Sequence, residues 1–204
     1  MRSAHSKDDE SRVRRRDEIA TAAIEVLATQ GLRGLTHRAV DAAAGLGPGS
    51  VNYHAPTRSR LLHLALGQLF VRDFEVAGAT FGTLVDVKPL TVDVVISHII
   101  DFIDAMTSAD AVKRVIARHI MLGEAQHDDE IRELFDSQRA AFVTYTQWIV
   151  ASLDSEDPPA DAETLVVMIE GLVQRQVLIG SRLSPTFIEQ MLRKIVVASP
   201  LVED

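Results

Sequence analysis

Apolar residues recur at three- and four-residue intervals along most of the chain, and this one periodicity confines the fold to helices. Ile19, Ala22, Ala23, Val26 and Leu27 form one such stripe. Leu61, Leu62, Leu66, Leu69, Phe70 and Phe74 form a second, and Ile131, Leu134, Phe135, Phe142, Tyr145, Trp148 and Ile149 a third. Alternating Val/Ile/Thr runs of strand period are missing from the sequence. Stripes of this kind each bury one face of a helix, so the expected fold is all-α, with helix packed on helix.

Glycine, proline and capping residues divide the helices. Gln30-Gly31 ends the first, with Gly31 free to turn left-handed. Thr36 is placed to cap a short second helix that stops at Gly45. Pro48 is expected in the first turn of a third, which ends near His54 and before Pro56. Thr57 caps a long fourth helix, expected over 57–84. Beyond the break at Asp86–Pro89, helices are expected over 91–106, 109–126, 129–153, 159–180 and 185–198, about nine in all.

Composition narrows the setting. The 204 residues suffice for a sizeable core, and 47% hydrophobic with 25% charged residues is a folded, soluble balance. With no cysteine, disulfides, thiolate zinc sites and thiol redox sensing are all excluded, which suits a reducing cytoplasm. Met1 to Ser11 is polar and holds no secretory core, and no apolar run approaches the roughly 18 residues of a membrane span. No membrane partner is therefore expected. The net charge of −8 is unevenly distributed. In residues 1–60, ten Lys and Arg face seven Asp and Glu, leaving +3; beyond them, eleven face twenty-two, leaving −11. A basic front suits a polyanionic partner, while an acidic body keeps the rest in solution.

The most informative stretch is GLRGLTHRAVDAAAGLGPGSVNYHAPTRSRLL, Gly31 to Leu62. Two short helices joined by Gly45-Leu46-Gly47 make a helix-turn-helix over about 36–54. Ala39, Ala43 and Ala44 permit close helix approach, and Val40, Leu46 and Val51 are the apolar residues available to lock the unit. Ser50, Asn52, Tyr53 and His54 crowd polar and aromatic groups onto the third helix, as reading a major groove requires.

This run resembles the N-terminal domain of TetR-family transcriptional regulators. Tyr53-His54 matches the family's tyrosine-histidine-phenylalanine run, Thr57-Arg58 its Ser/Thr-Lys pair, and Leu61-Leu62 the apolar residues that follow. Ile19, Ala22 and Ala23 match its first-helix signature. The likeness covers about residues 13–65; beyond it only length and helicity agree. Ala55 stands where the family usually has phenylalanine, so that packing must be filled from elsewhere. Arg58 replaces the usual lysine with a planar fork.

The resemblance implies a DNA-binding domain over 1–56 and a helical effector-binding and dimerisation domain over 57–204. Thr36 and Arg38 lie where a helix N-terminus favours a phosphate. Tyr53, His54 and Arg58 correspond to phosphate contacts of the family, which position without specifying. Pro48, Gly49, Ser50 and Asn52 are placed toward base edges. Asn52 is suited either to pair with adenine or to solvate a helix end. Tyr53 is either a DNA contact or a packing aromatic. Arg12, Arg14, Arg15 and Arg16 form either a flexible minor-groove arm or a solvated, disordered end. His37 is an exposed helix-start residue.

The resemblance further implies a homodimer on a palindromic operator, with recognition helices about 34–36 Å apart, and a small effector whose binding releases DNA. In such a switch the effector shifts the middle helices and, through the long fourth helix, the spacing of the recognition helices. Candidate pocket residues are Phe74, Phe102, Met106, Met121, Phe142, Tyr145 and Trp148. Candidate dimer residues are Met168, Leu172, Gln176, Ile179 and Met191, on or near a segment more apolar than one buried face needs. No cofactor, resident metal or catalytic residue is expected. Two alternatives rest on other features. Glu124 and His127 form one E-x-x-H pair, half of what a helical di-metal enzyme uses, and His98, Asp101 and Asp104 form a looser acidic group. Without DNA contact, the first helices would instead form a helical interaction module.

Overall fold

The computed structural model describes residues 3–196, and among these all regular structure is helical. Nine α-helices follow in order: α1 Ser3–Gly34, α2 His37–Ala43, α3 Ser50–His54, α4 Arg58–Phe81, α5 Val92–Met106, α6 Ala109–Leu122, α7 Asp129–Ala151, α8 Pro158–Ile179 and α9 Pro185–Val196. Short 3-10 turns, Gly82–Asp86 and Gly123–Gln126, extend α4 and α6. The expected extension of the ninth helix to 198 lies outside the described residues, as do Met1 and Arg2.

The capping chemistry accounts for most boundaries. Gly31 (φ 68°, ψ −174°) interrupts α1 where its stop was expected. Thr36 Oγ1 accepts from Ala39 N at 3.1 Å, and Thr57 Oγ1 from Arg60 N at 3.1 Å. Asp157 does the same for α8, whose first turn carries Pro158 and Pro159. Two expectations fail. Arg12, Arg14, Arg15 and Arg16 lie within α1 and not in a flexible arm; arginine is a good helix former, and Arg14 and Arg15 both reach Glu18 on the next turn. Pro48 precedes α3 and does not begin it, because Gly49 takes a left-handed conformation (φ 87°) as its N-cap.

The chain forms two compact units, residues 1–72 with 116–135, and 73–115 with 136–204. This division by packing differs from the division by role expected at residues 56–57. In the first unit, the stripe Ile19, Ala22, Ala23, Val26 and Leu27 is wholly buried with Val40, Val51, Leu61, Leu62, Leu66 and Leu69. A fully buried Val or Leu contributes about 1.5–3 kcal/mol, so these residues hold α1 to α4 around one core. Ala39, Ala44 and Leu46 pack on that core, whereas Ala43 is exposed. In the second unit, Val95, Ile99 and Ile103 of α5 pack with Leu165, Leu172 and Val173 of α8 and Ile188 and Leu192 of α9.

Candidate nucleic-acid interface

The third helix is only five residues long, too short to stand by itself. It is fixed from outside. Asp41, on α2 and 5% exposed, accepts from Gly49 N through Oδ2 and from Val51 N through Oδ1, each at 2.9 Å. One carboxylate thus satisfies two of the N–H groups that a helix start leaves open, and its charge favours the positive end of the peptide dipoles. Val51 is the inward anchor, with no exposed surface. No local pattern foretells this contact, since Asp41 lies eight and ten residues from its partners.

With Val51 turned inward, its neighbours face solvent. Asn52 is exposed, and Tyr53 is 76% exposed, which sets aside the packing-aromatic reading. The Tyr53 and His54 rings meet edge to face at 5.1 Å. Ser50 is half-buried and donates its hydroxyl to Gly47 O at 2.8 Å, leaving its oxygen as an acceptor. Thr36, Arg38, Pro48, Gly49 and Arg58 are all exposed. Gly45, Leu46, Gly47, Ser50, Tyr53 and His54 line one open hollow together with Arg15 of α1.

That hollow is electropositive. Partial burial, and then the charges of Arg12, Arg16 and Arg15, hold the His54 imidazole below its ordinary pKa. A phosphate placed there would reverse the penalty, because it favours the imidazolium and neutralises the arginines. Arg15 of α1 and the side chains of α3 therefore share one surface.

Two residues have structural duties beyond those expected. Arg58 Nη2 donates to Leu32 O at 2.8 Å, tying the start of α4 to the segment after Gly31. His37, set aside by the sequence reading, bonds through Nε2 to Ala55 O at 2.6 Å. Ala55 itself is buried in the core of the first unit. Ala55 thus contributes a buried methyl group and a carbonyl fastened to His37.

Six of the seven candidate pocket residues lie in the second unit; Met121 does not, being fully buried in the core of the first. Phe74 and Phe142 stack in parallel at 4.7 Å, although Phe74 is 42% exposed. Phe81 contacts Phe102 at 5.3 Å, and Tyr145 contacts Trp148 at 5.8 Å. Tyr145 donates its hydroxyl to Phe81 O at 2.9 Å, and burial raises its pKa. Met106 is buried in the same cluster. Of the candidate dimer residues, Leu172 is buried within its own unit, Met168, Gln176 and Met191 are half-buried, and Ile179 is 67% exposed. Val167 and Leu178 on α8 and Phe187 on α9 are also exposed.

Glu124 lies in the 3-10 turn after α6, with His127 at its end. His98 Nδ1 bonds to Val94 O at 2.8 Å, within its own helix, while Asp101 and Asp104 are exposed.

A family model described as the tetracyclin repressor-like C-terminal domain matches residues 90–198. No curated protein matches the chain in sequence. Solved structures agree in fold across almost the whole chain. A protein of Mesorhizobium loti, described as a TetR-family transcriptional regulator, superposes with a TM-score of 0.75 at 15% identity, over 92% of this chain and 95% of its own. A TetR-family member of Streptomyces coelicolor gives 0.71 at 23%, over 89% and 97%. A transcriptional regulator of Saccharomonospora viridis, solved in complex with choline, gives 0.71 at 16%, over 90% and 96%.

Proposed function

The chain belongs to the TetR family of transcriptional regulators, and we propose that it binds a palindromic operator as a homodimer and is released by a small effector. Membership of a regulator family sets aside the metal-enzyme alternative raised by Glu124 and His127. The observation that carries the DNA-binding reading is the Asp41-fastened recognition helix, with Tyr53 in solvent beside Arg15 and His54. Thr36, Arg38, Tyr53, His54 and Arg58 contact phosphates, whereas Pro48, Gly49, Ser50 and Asn52 face base edges. Residues 1–56 do the reading and 57–204 the sensing and pairing. Since its partner is DNA, the protein acts in the cytoplasm; no helix of the described residues is long and apolar enough to cross a membrane.

Dimerisation falls to α8 and α9, which expose Val167, Leu178, Ile179 and Phe187. Phe74, Phe102, Met106, Phe142, Tyr145 and Trp148 supply aromatic and thioether surface for the effector, a small molecule as choline is for the Saccharomonospora protein. The test is salt-dependent binding to DNA from the region upstream of its own gene. Specific binding that weakens as salt rises is expected. Absence of specific binding at every salt concentration overturns the regulator reading, and unchanged binding by Tyr53→Ala and Asn52→Ala overturns the site.

A further inference from the structure

Gln138, in α7, is 4% exposed, and neither its Oε1 nor its Nε2 has a hydrogen-bond partner among the described residues. Each buried polar group left unmet costs about 1–3 kcal/mol. Leucine or methionine would fill the position without that cost. Packing alone therefore does not account for an amide here.

Two aromatic residues follow it at helical spacing. Phe142 lies one helical turn further along α7, and Tyr145 nearly two, so both share the face of Gln138. Phe142 is stacked on Phe74 of α4. The Tyr145 hydroxyl is committed to Phe81 O. The unit also holds buried donor atoms without acceptors, Nε2 of Gln176 and Nη2 of Arg114.

We propose that Gln138 is the residue through which this regulator recognises its effector, and that the effector is a flat aromatic molecule bearing a carboxamide or lactam edge. A primary amide presents an acceptor and a donor side by side. Its complement is an N–H beside a C=O, which meets both atoms in two parallel hydrogen bonds. A ketone leaves Oε1 unmet, and a quaternary ammonium group offers neither partner. The aromatic body is set by the rings that share the helix face.

The inference rests on the regulator reading, since it names the effector of that protein, but its test does not depend on DNA. Full-length wild type, Gln138→Met and Gln138→Leu are melted alone, with benzamide and with acetophenone, which keeps the carbonyl but lacks the N–H. Without probe, both variants are expected to melt higher than wild type, by about 2–4 °C. Wild type is expected to bind benzamide about tenfold more tightly than acetophenone, and both variants are expected to lose that preference. Variants that melt lower than wild type would make the amide structural and overturn the proposal. So would a wild type that does not prefer benzamide, or a preference that survives the substitutions. DNA binding by the same wild-type preparation is scored separately and bears only on the regulator reading.

Discussion

Asp41 holds Val51: a carboxylate oxygen on the second helix accepts the backbone N–H of the third at 2.9 Å, in a setting where neither residue is open to solvent. Removing it leaves the N–H groups of Gly49 and Val51 without their charged acceptor. Hydrogen bonds to a charged group contribute about 1.5–3 kcal/mol. Asp41→Ala is therefore expected to lower unfolding stability by about 3 kcal/mol in urea titration and to weaken operator binding. Asp41→Asn, which keeps one acceptor oxygen, is expected to fall between.

On the proposed function, His54 is expected to make DNA binding depend on pH. In the free protein, burial and then Arg12, Arg16 and Arg15 hold its pKa below the ordinary 6.5, so it is neutral at pH 7. Its contribution to folding stability is complete above 6.5 and is lost as pH falls through the depressed value. A bound phosphate favours the charged ring, so complex formation takes up protons. Operator affinity is expected to rise as pH is lowered from neutrality, by no more than about tenfold per pH unit for each protomer's His54. Fluorescence anisotropy at constant ionic strength measures it, and His54→Gln should flatten the slope.

Asp128 ties α7 to α4 within the first unit. Its Oδ1 accepts from Ile131 N at 3.1 Å, capping α7, and its Oδ2 accepts from Ser59 at 2.9 Å. His63 Nε2 lies 3.4 Å from Oδ1, and its Nδ1 lies 2.9 Å from Glu130. The Ile131 bond, then Ser59 and His63, lower the Asp128 pKa below 3.8 against the effect of burial. This stabilisation is present above pH 3.8 and lost as pH falls through the lowered value. Loss of the cap in Asp128→Ala is expected to cost about 1–2 kcal/mol, read from thermal unfolding at pH 7.

Ile179 is 67% exposed near the end of α8, more than a residue serving only its own core would be. If α8 and α9 pair across a two-fold axis, Ile179→Glu places two like charges at the seam. Light scattering is expected to report a monomer, with operator affinity lost alongside. A variant that remains dimeric would move the interface elsewhere.

The helical architecture was legible because each helix announces itself locally, by a stripe such as Ile19 to Leu27 and by caps such as Thr36 and Thr57. What escaped the sequence depends on contacts across elements. The Asp41 cap spans a turn, and the His37 bond to Ala55 spans eighteen residues, so neither has a period to detect. The start of α3 was misplaced because proline is a common first-turn residue, while the left-handed Gly49 beside it has the stronger claim as N-cap. Met121 looked like pocket lining by type, but it is a core residue of the other unit.

Because α3 owes its existence to Asp41, Gly49 and Val51, frame and message are carried by different atoms. The frame lies in a carboxylate, a left-handed glycine and a buried valine; the side chain proposed to read bases, Asn52, faces outward. Outward side chains can therefore be exchanged at little cost to the fold. On the proposed function, operator choice is expected to change when outward positions such as Asn52 are edited, provided Asp41, Gly49 and Val51 are left alone.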